Sequence, residues 1–202
     1  MNDMESRLET YRDRLVLVTG ATGFTGRVLT HKLLDAGARV RVIARKSSDT
    51  GDLAARDVEW FRGDVFDPEV IERAVDKVEY IFHLAAAFRE EKSTDDDFRA
   101  VHLDSTQLMV NKVLGSEQFK CFVHVSTVGV HGHIEVERAD EDYRFSPGDG
   151  YQRTKLEGEQ WIKKFGDENN FPYTIIRPAP IFGPGDMRLL KIFRMVKKGY
   201  LL

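Results

Sequence analysis

The stretch Leu-Val-Leu-Val-Thr-Gly-Ala-Thr-Gly-Phe-Thr-Gly, residues 15–26, decides the fold of this chain. Its apolar start, 15–18, is typical of a buried strand, and glycines follow at positions 20, 23 and 26. Glycines let the chain turn sharply, approach a pyrophosphate without a Cβ in the way, and offer N–H groups at a helix N-terminus. The spacing Gly-x-x-Gly-x-x-Gly therefore predicts a strand–turn–helix that binds a dinucleotide, with a tight turn of purely structural purpose as the alternative.

Strand and helix patterns alternate along the rest of the chain. Asp67 is expected to cap one helix and Gly37 to end another. Further strands are predicted at 40–44, 58–61, 78–84, 119–127 and 173–177, and helices at 24–36, from 67, and at 98–114, 151–165 and 187–198. This alternation predicts an α/β fold, a doubly wound parallel sheet of the Rossmann type with helices on both faces. The charged run 89–97 is expected to be a solvated loop.

Composition excludes several classes of protein. The 202 residues suit one domain, or one domain and part of another, and a net charge of −3 gives no electrostatic reason to expect nucleic acid or a membrane as partner. No stretch reaches the ~18 apolar residues of a membrane span, and the charged N-terminus is unlike a signal peptide, so the expected location is cytoplasmic. The lone cysteine, Cys121, is expected in the core. The histidines show no spacing that predicts a metal site.

The end of the second strand bears on the choice of dinucleotide. An acidic residue at this place would bind the ribose 2′-hydroxyl of NAD, but the sequence reads Ala44-Arg-Lys-Ser-Ser48. Arg45 can pair with a 2′-phosphate, which favours NADP(H), while NAD(H) stays open. The alternative is that Arg45 and Lys46 are only surface cations.

Tyr151 and Lys155 are the candidate catalytic pair. Four residues apart, they lie on one face of a predicted helix. A phenol is a poor base at neutral pH, but a nearby ammonium would stabilise its phenolate and suit it to general acid/base work on a carbonyl–alcohol pair. Ser126 and Thr127, at the end of the fifth strand, are placed to hold the reacting oxygen.

With these motifs, the chain resembles the extended branch of the short-chain dehydrogenase/reductase superfamily, of the NAD(P)-dependent epimerase/dehydratase type. The matching segments are 19–26 (TGATGFTG), 63–65 (GDV), 83–86 (HLAA), 125–132 (VSTVGVHG), 151–155 (YQRTK) and 177–185 (RPAPIFGPG).

The resemblance implies a role for each matched position. Thr127 aligns with the family's hydroxyl residue and so ranks above Ser126. Tyr151 would be the acid/base, and Lys155 would also hold the nicotinamide ribose. The remaining cofactor contacts would be Gly20, Gly23, Phe24, Thr25 and Gly26 around the pyrophosphate, Asp64 and Val65 at the adenine, Ala85 and Ala86 on the adenosine ribose side, and the segment from Pro178 to Ile181 at the nicotinamide carboxamide.

The chain departs from the family pattern in two places. His131 replaces the usual tyrosine of a Val-Tyr-Gly segment, and we expect it to be a packing residue. The sequence stops at Leu202, where extended members continue into a region that helps to form the substrate pocket. We therefore expect a polar extension at 1–14, a dinucleotide-binding domain at 15–185, and at 186–202 the start of a substrate region that is largely absent.

Together these patterns predict an oxidoreductase that transfers hydride between NADP(H) or NAD(H) and a carbonyl/alcohol carbon, with Thr127, Tyr151 and Lys155 as catalytic residues. The alternatives are a sugar-nucleotide epimerase/dehydratase with tightly bound NAD and a non-catalytic dinucleotide-binding sensor. A small molecule is the expected substrate. The resemblance also implies a homodimer paired through the helices at 98–114 and 151–165.

Overall fold

The structure is a computed structural model that describes residues 8–87 and 94–200. Within these ranges six parallel strands form one sheet in the order β3-β2-β1-β4-β5-β6. The strands are β1 (Leu15–Thr19), β2 (Arg39–Ala44), β3 (Val58–Arg62), β4 (Tyr80–His83), β5 (Cys121–Val125) and β6 (Tyr173–Ile176).

Helices connect most successive strands, whereas β2 and β3 are joined by a 3₁₀ turn and the last helix follows β6. The helices are α1 (Phe24–Asp35), α2 (Pro68–Ala74), α3 (Asp95–Arg99), α4 (Ser105–Val113), α5 (Gly150–Asn169) and α6 (Met187–Lys197). A π-helical turn, Ala100–Asp104, joins α3 to α4, and short 3₁₀ turns occupy Glu9–Tyr11, Gly51–Ala55 and Val128–His131. None of the helices in the described ranges combines the length and apolar character needed to cross a membrane.

The strand order 3-2-1-4-5-6 is that of the Rossmann fold, which confirms the predicted fold class. The order reverses between β1 and β4, where Thr19 pairs with His83 at the carboxyl ends of both strands. Ligands of open α/β sheets bind in the crevice at this switch point.

The sheet separates two apolar layers. Leu17 of β1 belongs to the layer that contains Phe122 and Ile162, whereas Val16 and Val18 belong to the opposite layer. All five residues of β1 are buried. Burial on both faces explains why the strand is apolar throughout rather than alternating.

The predicted helix ends are confirmed where capping chemistry is strong. Asp67 caps α2 by accepting hydrogen bonds from Glu69 N at 3.0 Å and Val70 N at 3.4 Å. Gly37 has φ +84°, the left-handed conformation expected of a residue just past the end of α1.

The predicted loop at 89–97 is wrong for its last residues. Asp95 begins α3, three residues before the predicted start at Phe98, because Thr94 and Asp97 form a capping box. Acidic side chains in the first turn also favour the helix dipole. Residues 89–93 lie outside the described ranges.

Strand β5 is shorter than predicted, and its cysteine is not a core residue. Cys121 begins β5 and is only partly buried, with Sγ 3.7 Å from Thr174 Oγ1 on the edge strand β6. Both end residues of β5, Cys121 and Val125, are only partly buried, so the apolar run at 119–125 does not imply burial of each member.

Candidate active site

Two glycines of the turn are required by close packing. Gly20 has φ +72°, and a Cβ there would lie 2.8 Å from Leu84 C and from Ala85 N at the end of β4. A Cβ on Gly26 would lie 2.1 Å from Gly20 O. The turn therefore presses against β4 on one side and against α1 on the other.

The third glycine leaves space in front of the helix. Gly23 is exposed and precedes α1, and it supplies no side-chain cap to the helix N-terminus. Thr25 is exposed in the same turn. Phe24 approaches the loop that follows β6, since a Cβ on Gly183 would lie 3.8 Å from its ring. This geometry fits a pyrophosphate bound at the helix N-terminus.

The residues predicted to contact the adenosine half lie along the carboxyl edge of the sheet. Arg45 follows β2, and Asp64 and Val65 follow β3; Arg45 and Asp64 are exposed, while Val65 packs partly on the core. Ala85 and Ala86 follow β4, and Ala85 N donates to Thr19 Oγ1 at 3.1 Å.

Helix α5 carries Tyr151 and Lys155 to the same edge. Asp149 caps the helix by accepting from Gln152 N at 2.9 Å, so Tyr151 lies in the first turn and Lys155 one turn later. Lys155 is 2% exposed. Its Nζ donates to Val125 O at 3.0 Å and to Ala85 O at 3.5 Å. Burial lowers the pKa of Lys155 from 10.5 to about 8.

Thr127 follows β5 at the same edge of the sheet. It is partly buried, and its Oγ1 accepts from Gly129 N at 3.1 Å, which leaves the hydroxyl hydrogen to donate to a bound oxygen. Ser126, its neighbour, is 4% exposed and faces the interior. Pro178 O accepts from Val128 N at 3.1 Å, which brings the loop after β6 beside this turn; Ile181 in that loop is exposed.

His131 is a packing residue in the structure, as predicted. Its ring is buried and stacks on Phe145 with centroids 5.3 Å apart. Nδ1 lies 3.1 Å from Arg144 O, and Nε2 lies 3.2 Å from Arg177 Nη1. Arg177 also bonds the buried carboxylate of Glu159. The network holds the loop that leads into α5.

Sequence reasoning missed three buried histidines beside Lys155. His83, His102 and His124 are all fully buried. Burial first, then the charge of Lys155, lowers the pKa of His83 to about 3 and of His102 to about 2, and it lowers that of His124 well below 6.5. His83 and His124 pair on adjacent strands, and His102 reaches them from the π-helical turn, so no pattern in the sequence grouped the three. In the described residues no group of His, Cys, Asp and Glu is arranged to hold a metal ion.

An apolar cavity of about 280 Å³ opens beside the loop after β6. Phe182, Gly183, Pro184, Asp186 and Phe193 line it. Phe182 is 70% exposed and Phe193 63% exposed. The sequence did not predict this cavity, because a run of glycines and prolines gives no indication of the space between side chains.

A switch-point crevice with a glycine turn on one side and the helix of Tyr151 and Lys155 on the other is the arrangement of the short-chain dehydrogenase/reductase class. Comparison with known families agrees. The chain belongs to the NAD dependent epimerase/dehydratase family, whose sequence model matches residues 16–199.

Relatives within this family differ in what they act on. The sterol demethylase protein B of Methylococcus capsulatus is 31% identical over 85% of this chain and 53% of its own length. The 3 beta-hydroxysteroid dehydrogenase/Delta 5-->4-isomerase of Mycobacterium tuberculosis is 32% identical over 92% of this chain and 52% of its own length. The crystal structure of UDP-glucose 4-epimerase from Thermotoga maritima with UDP-glucose superposes with a TM-score of 0.76 at 27% identity, over 84% of this chain and 57% of that one. The chain thus spans about half the length of the curated relatives it matches.

Proposed function

We propose that this chain forms the catalytic, cofactor-binding part of an NAD(P)-dependent oxidoreductase that interconverts an alcohol and a carbonyl compound. The observation that carries the proposal is the buried amine of Lys155, held between the carbonyls of Val125 and Ala85, one helical turn from Tyr151. A buried cation is costly, and its place at the carboxyl edge of the sheet suits a functional role better than a structural one.

In the proposed mechanism Tyr151 is the general acid/base. Its hydroxyl gives a proton to the carbonyl oxygen in reduction and removes one from the alcohol in oxidation. The Lys155 ammonium stabilises the phenolate by charge. Thr127, whose oxygen is already engaged as an acceptor, donates its hydroxyl hydrogen to the substrate oxygen and fixes it. The dinucleotide, when bound, supplies or accepts the hydride at its nicotinamide ring.

The residues of the crevice fit that dinucleotide. The glycine turn and the first turn of α1 would hold the pyrophosphate, and Asp64 and Val65 the adenine. Ala85 and Ala86 would lie at the adenosine ribose, and Pro178 to Ile181 at the carboxamide. Arg45 supports a preference for NADP(H), because it is exposed at the end of β2 and no carboxylate occupies positions 45–48. The family description names NAD, so titration with both cofactors decides the preference.

The substrate is proposed to be a secondary alcohol on an apolar ring skeleton. Two observations favour this class over a sugar nucleotide: the cavity beside the loop after β6 is walled by Phe182 and Phe193, and two relatives are named for sterols or steroids.

The test combines binding with turnover. Fluorescence titration with NADPH and NADH measures both affinities, and absorbance at the nicotinamide band follows reaction with a 3β-hydroxysteroid or with UDP-glucose. Tyr151→Phe is expected to abolish turnover and leave cofactor affinity within about twofold, because it removes only the exchangeable proton. Turnover that survives this change refutes the proton route.

Two alternatives predict other results. An epimerase returns the hydride to its substrate, so UDP-glucose would be converted without net change in cofactor. A non-catalytic binder would take up cofactor and convert neither substrate. The hydroxyl, phenol and amine at 127, 151 and 155 favour an enzyme over a non-catalytic binder, because a binder has no need for an acid/base.

A further inference from the structure

Two hydrogen bonds fix the tautomer of the neutral His102 ring. Nε2 lies 3.2 Å from Ala87 N, and Nδ1 lies 2.9 Å from Thr154 Oγ1. A backbone amide can only donate, so Nε2 is the acceptor and the proton of the neutral ring is on Nδ1. Thr154 Oγ1 accepts the hydrogen bond from Nδ1–H, and the Thr154 hydroxyl donates to Gly150 O at 2.9 Å. A directed chain of bonds therefore runs from Ala87 to the first turn of α5.

The same ring contacts the candidate acid/base. The His102 and Tyr151 rings are perpendicular, at 88°, with centroids 5.2 Å apart. Phe98, one turn earlier, stacks on His102 at 6.0 Å and meets Tyr151 edge-on at 6.2 Å. Perpendicular contact is a favoured geometry for aromatic pairs, and two such contacts on one side restrict rotation of the Tyr151 side chain.

The backbone around His102 is shaped to permit this contact. His102 lies in the π-helical turn Ala100–Asp104, and such turns occur often at functional sites. A Cβ on Gly158 of α5 would lie 2.6 Å from His102 O, so only glycine lets α5 approach this closely. The π-helical turn and Gly158 together allow the His102 ring to lie against α5.

We infer that His102 is a positioning residue that sets the orientation of the Tyr151 ring and joins the Ala85–Ala87 segment to the start of α5. This inference rests on the proposed function of Tyr151. The two ends of the bond chain are the two sides of the crevice, the ribose side at 85–87 and the acid/base side at 150–151. His102 holds them at a constant separation.

Electrostatics keep the arrangement intact. Burial, followed by the charges of Lys155 and His83, lowers the pKa of His102 to about 2. The ring is therefore neutral around neutral pH, and Nε2 can accept from Ala87 N.

Two substitutions separate the ring contact from the hydrogen bonds. His102→Phe keeps a ring against Tyr151 and removes both bonds, whereas His102→Asn removes the ring and can still reach Thr154. His124→Phe is the matched control: His124 is equally buried, but neither of its ring nitrogens has a hydrogen-bond partner among the described residues, and no ring contact joins it to Tyr151. Thermal unfolding of each variant checks that the fold is kept.

The first readout needs no activity. In the full chain labelled with ¹⁵N-histidine and ¹³Cζ-tyrosine, His102 is expected to show the neutral Nδ1–H tautomer across the native pH range. The Tyr151 signal, assigned with Tyr151→Phe, should shift or broaden in His102→Asn and keep its position in His102→Phe and His124→Phe. An Nε2–H tautomer, or a Tyr151 signal unchanged in His102→Asn, overturns the inference.

The second readout is turnover of a 3β-hydroxysteroid with NAD⁺ or NADP⁺. His102→Asn is expected to lower kcat by about tenfold or more with KM within about twofold, the result of a misplaced catalytic group rather than of lost binding. His124→Phe should stay within about twofold of the parent in both. Equal loss in both variants assigns the effect to the buried cluster in general and refutes the specific role. If the parent and Tyr151→Phe turn over equally, the proposed function fails, while the spectra still decide whether His102 orients the ring.

Discussion

The buried amine of Lys155 predicts a pH dependence of stability that can be isolated by one substitution. Its pKa is lowered from 10.5 to about 8 by burial, so between these values the unfolded chain binds more protons than the folded protein. Stability therefore rises with pH through this window for the parent, and Lys155→Met removes that contribution.

The magnitude follows from the two pKa values. Each pH unit between 8 and 10.5 corresponds to slightly more than about 1 kcal/mol, and summing over the window from pH 7 to pH 10 gives about 2–3 kcal/mol. The difference in unfolding free energy, parent minus Lys155→Met, should rise by this amount from pH 7 to pH 10. At pH 7 the buried amine is charged and the parent bears nearly the whole cost of burying it. The unfolding free energy of Lys155→Met, relative to that of the parent, should therefore be highest at this pH.

Urea denaturation followed by the fluorescence of Trp60 and Trp161 measures this difference at each pH. Other titrating groups are common to both proteins and cancel. Lys163→Met is the matched control, since Lys163 is exposed on the same helix, and its difference from the parent should be flat. A Lys155→Met difference that varies by less than about 0.5 kcal/mol over the range would show that the amine is not desolvated, and the electrostatic argument for its role would fail with it.

Three further predictions concern the surroundings of the crevice. Gly26→Ala should destabilise the protein by more than about 2 kcal/mol in urea denaturation, because its Cβ meets the preceding turn at 2.1 Å, whereas Gly183→Ala, with 3.8 Å of room, should cost less than about 0.5 kcal/mol. Arg45→Ser should lower the ratio of NADPH to NADH affinity by about 10-fold or more in fluorescence titration, and an unchanged ratio would mean that Arg45 is a surface cation. Glu159→Gln should lower stability by about 1–3 kcal/mol in urea denaturation at neutral pH, because it leaves the partly buried guanidinium of Arg177 without its buried carboxylate partner; an unchanged stability would contradict this.

The sequence predicted those parts of the fold that depend on local chemistry. Glycine at 20, 23 and 26 after an apolar strand specifies a turn that few other sequences can make, and Asp67 before Pro68 specifies a helix start. The alternation of strand and helix then leaves few topologies for a parallel sheet, since crossovers are right-handed. The errors lie at element ends, as at Asp95, where a capping box competed with the reading of a charged run as a loop.

The surroundings of the candidate site could not be predicted in the same way. Lys155 and Tyr151 were identified by spacing, but the burial of the amine depends on β4, β5 and α5 meeting at one point. His102 was set aside because its sequence neighbours suggest no ligand set. Its partners, Ala87 and Thr154, are 15 and 52 residues away, and contacts at such separations leave no trace in a single sequence.

The polar groups buried at the start of α5 reduce stability, and their location distinguishes the part of the helix that serves chemistry from the part that serves stability. A helix–sheet contact made only for stability would be apolar, as it is at Ile162, two turns further along α5. Instead the first two turns of α5 carry the buried amine of Lys155 and contact the buried, neutral ring of His102. Polar groups buried in this way reduce stability unless they are fully bonded. The place of Lys155 and His102 beside Tyr151, and not along the rest of the helix, argues that these two polar groups serve the reaction, and that the apolar half of α5 provides the stability to support them.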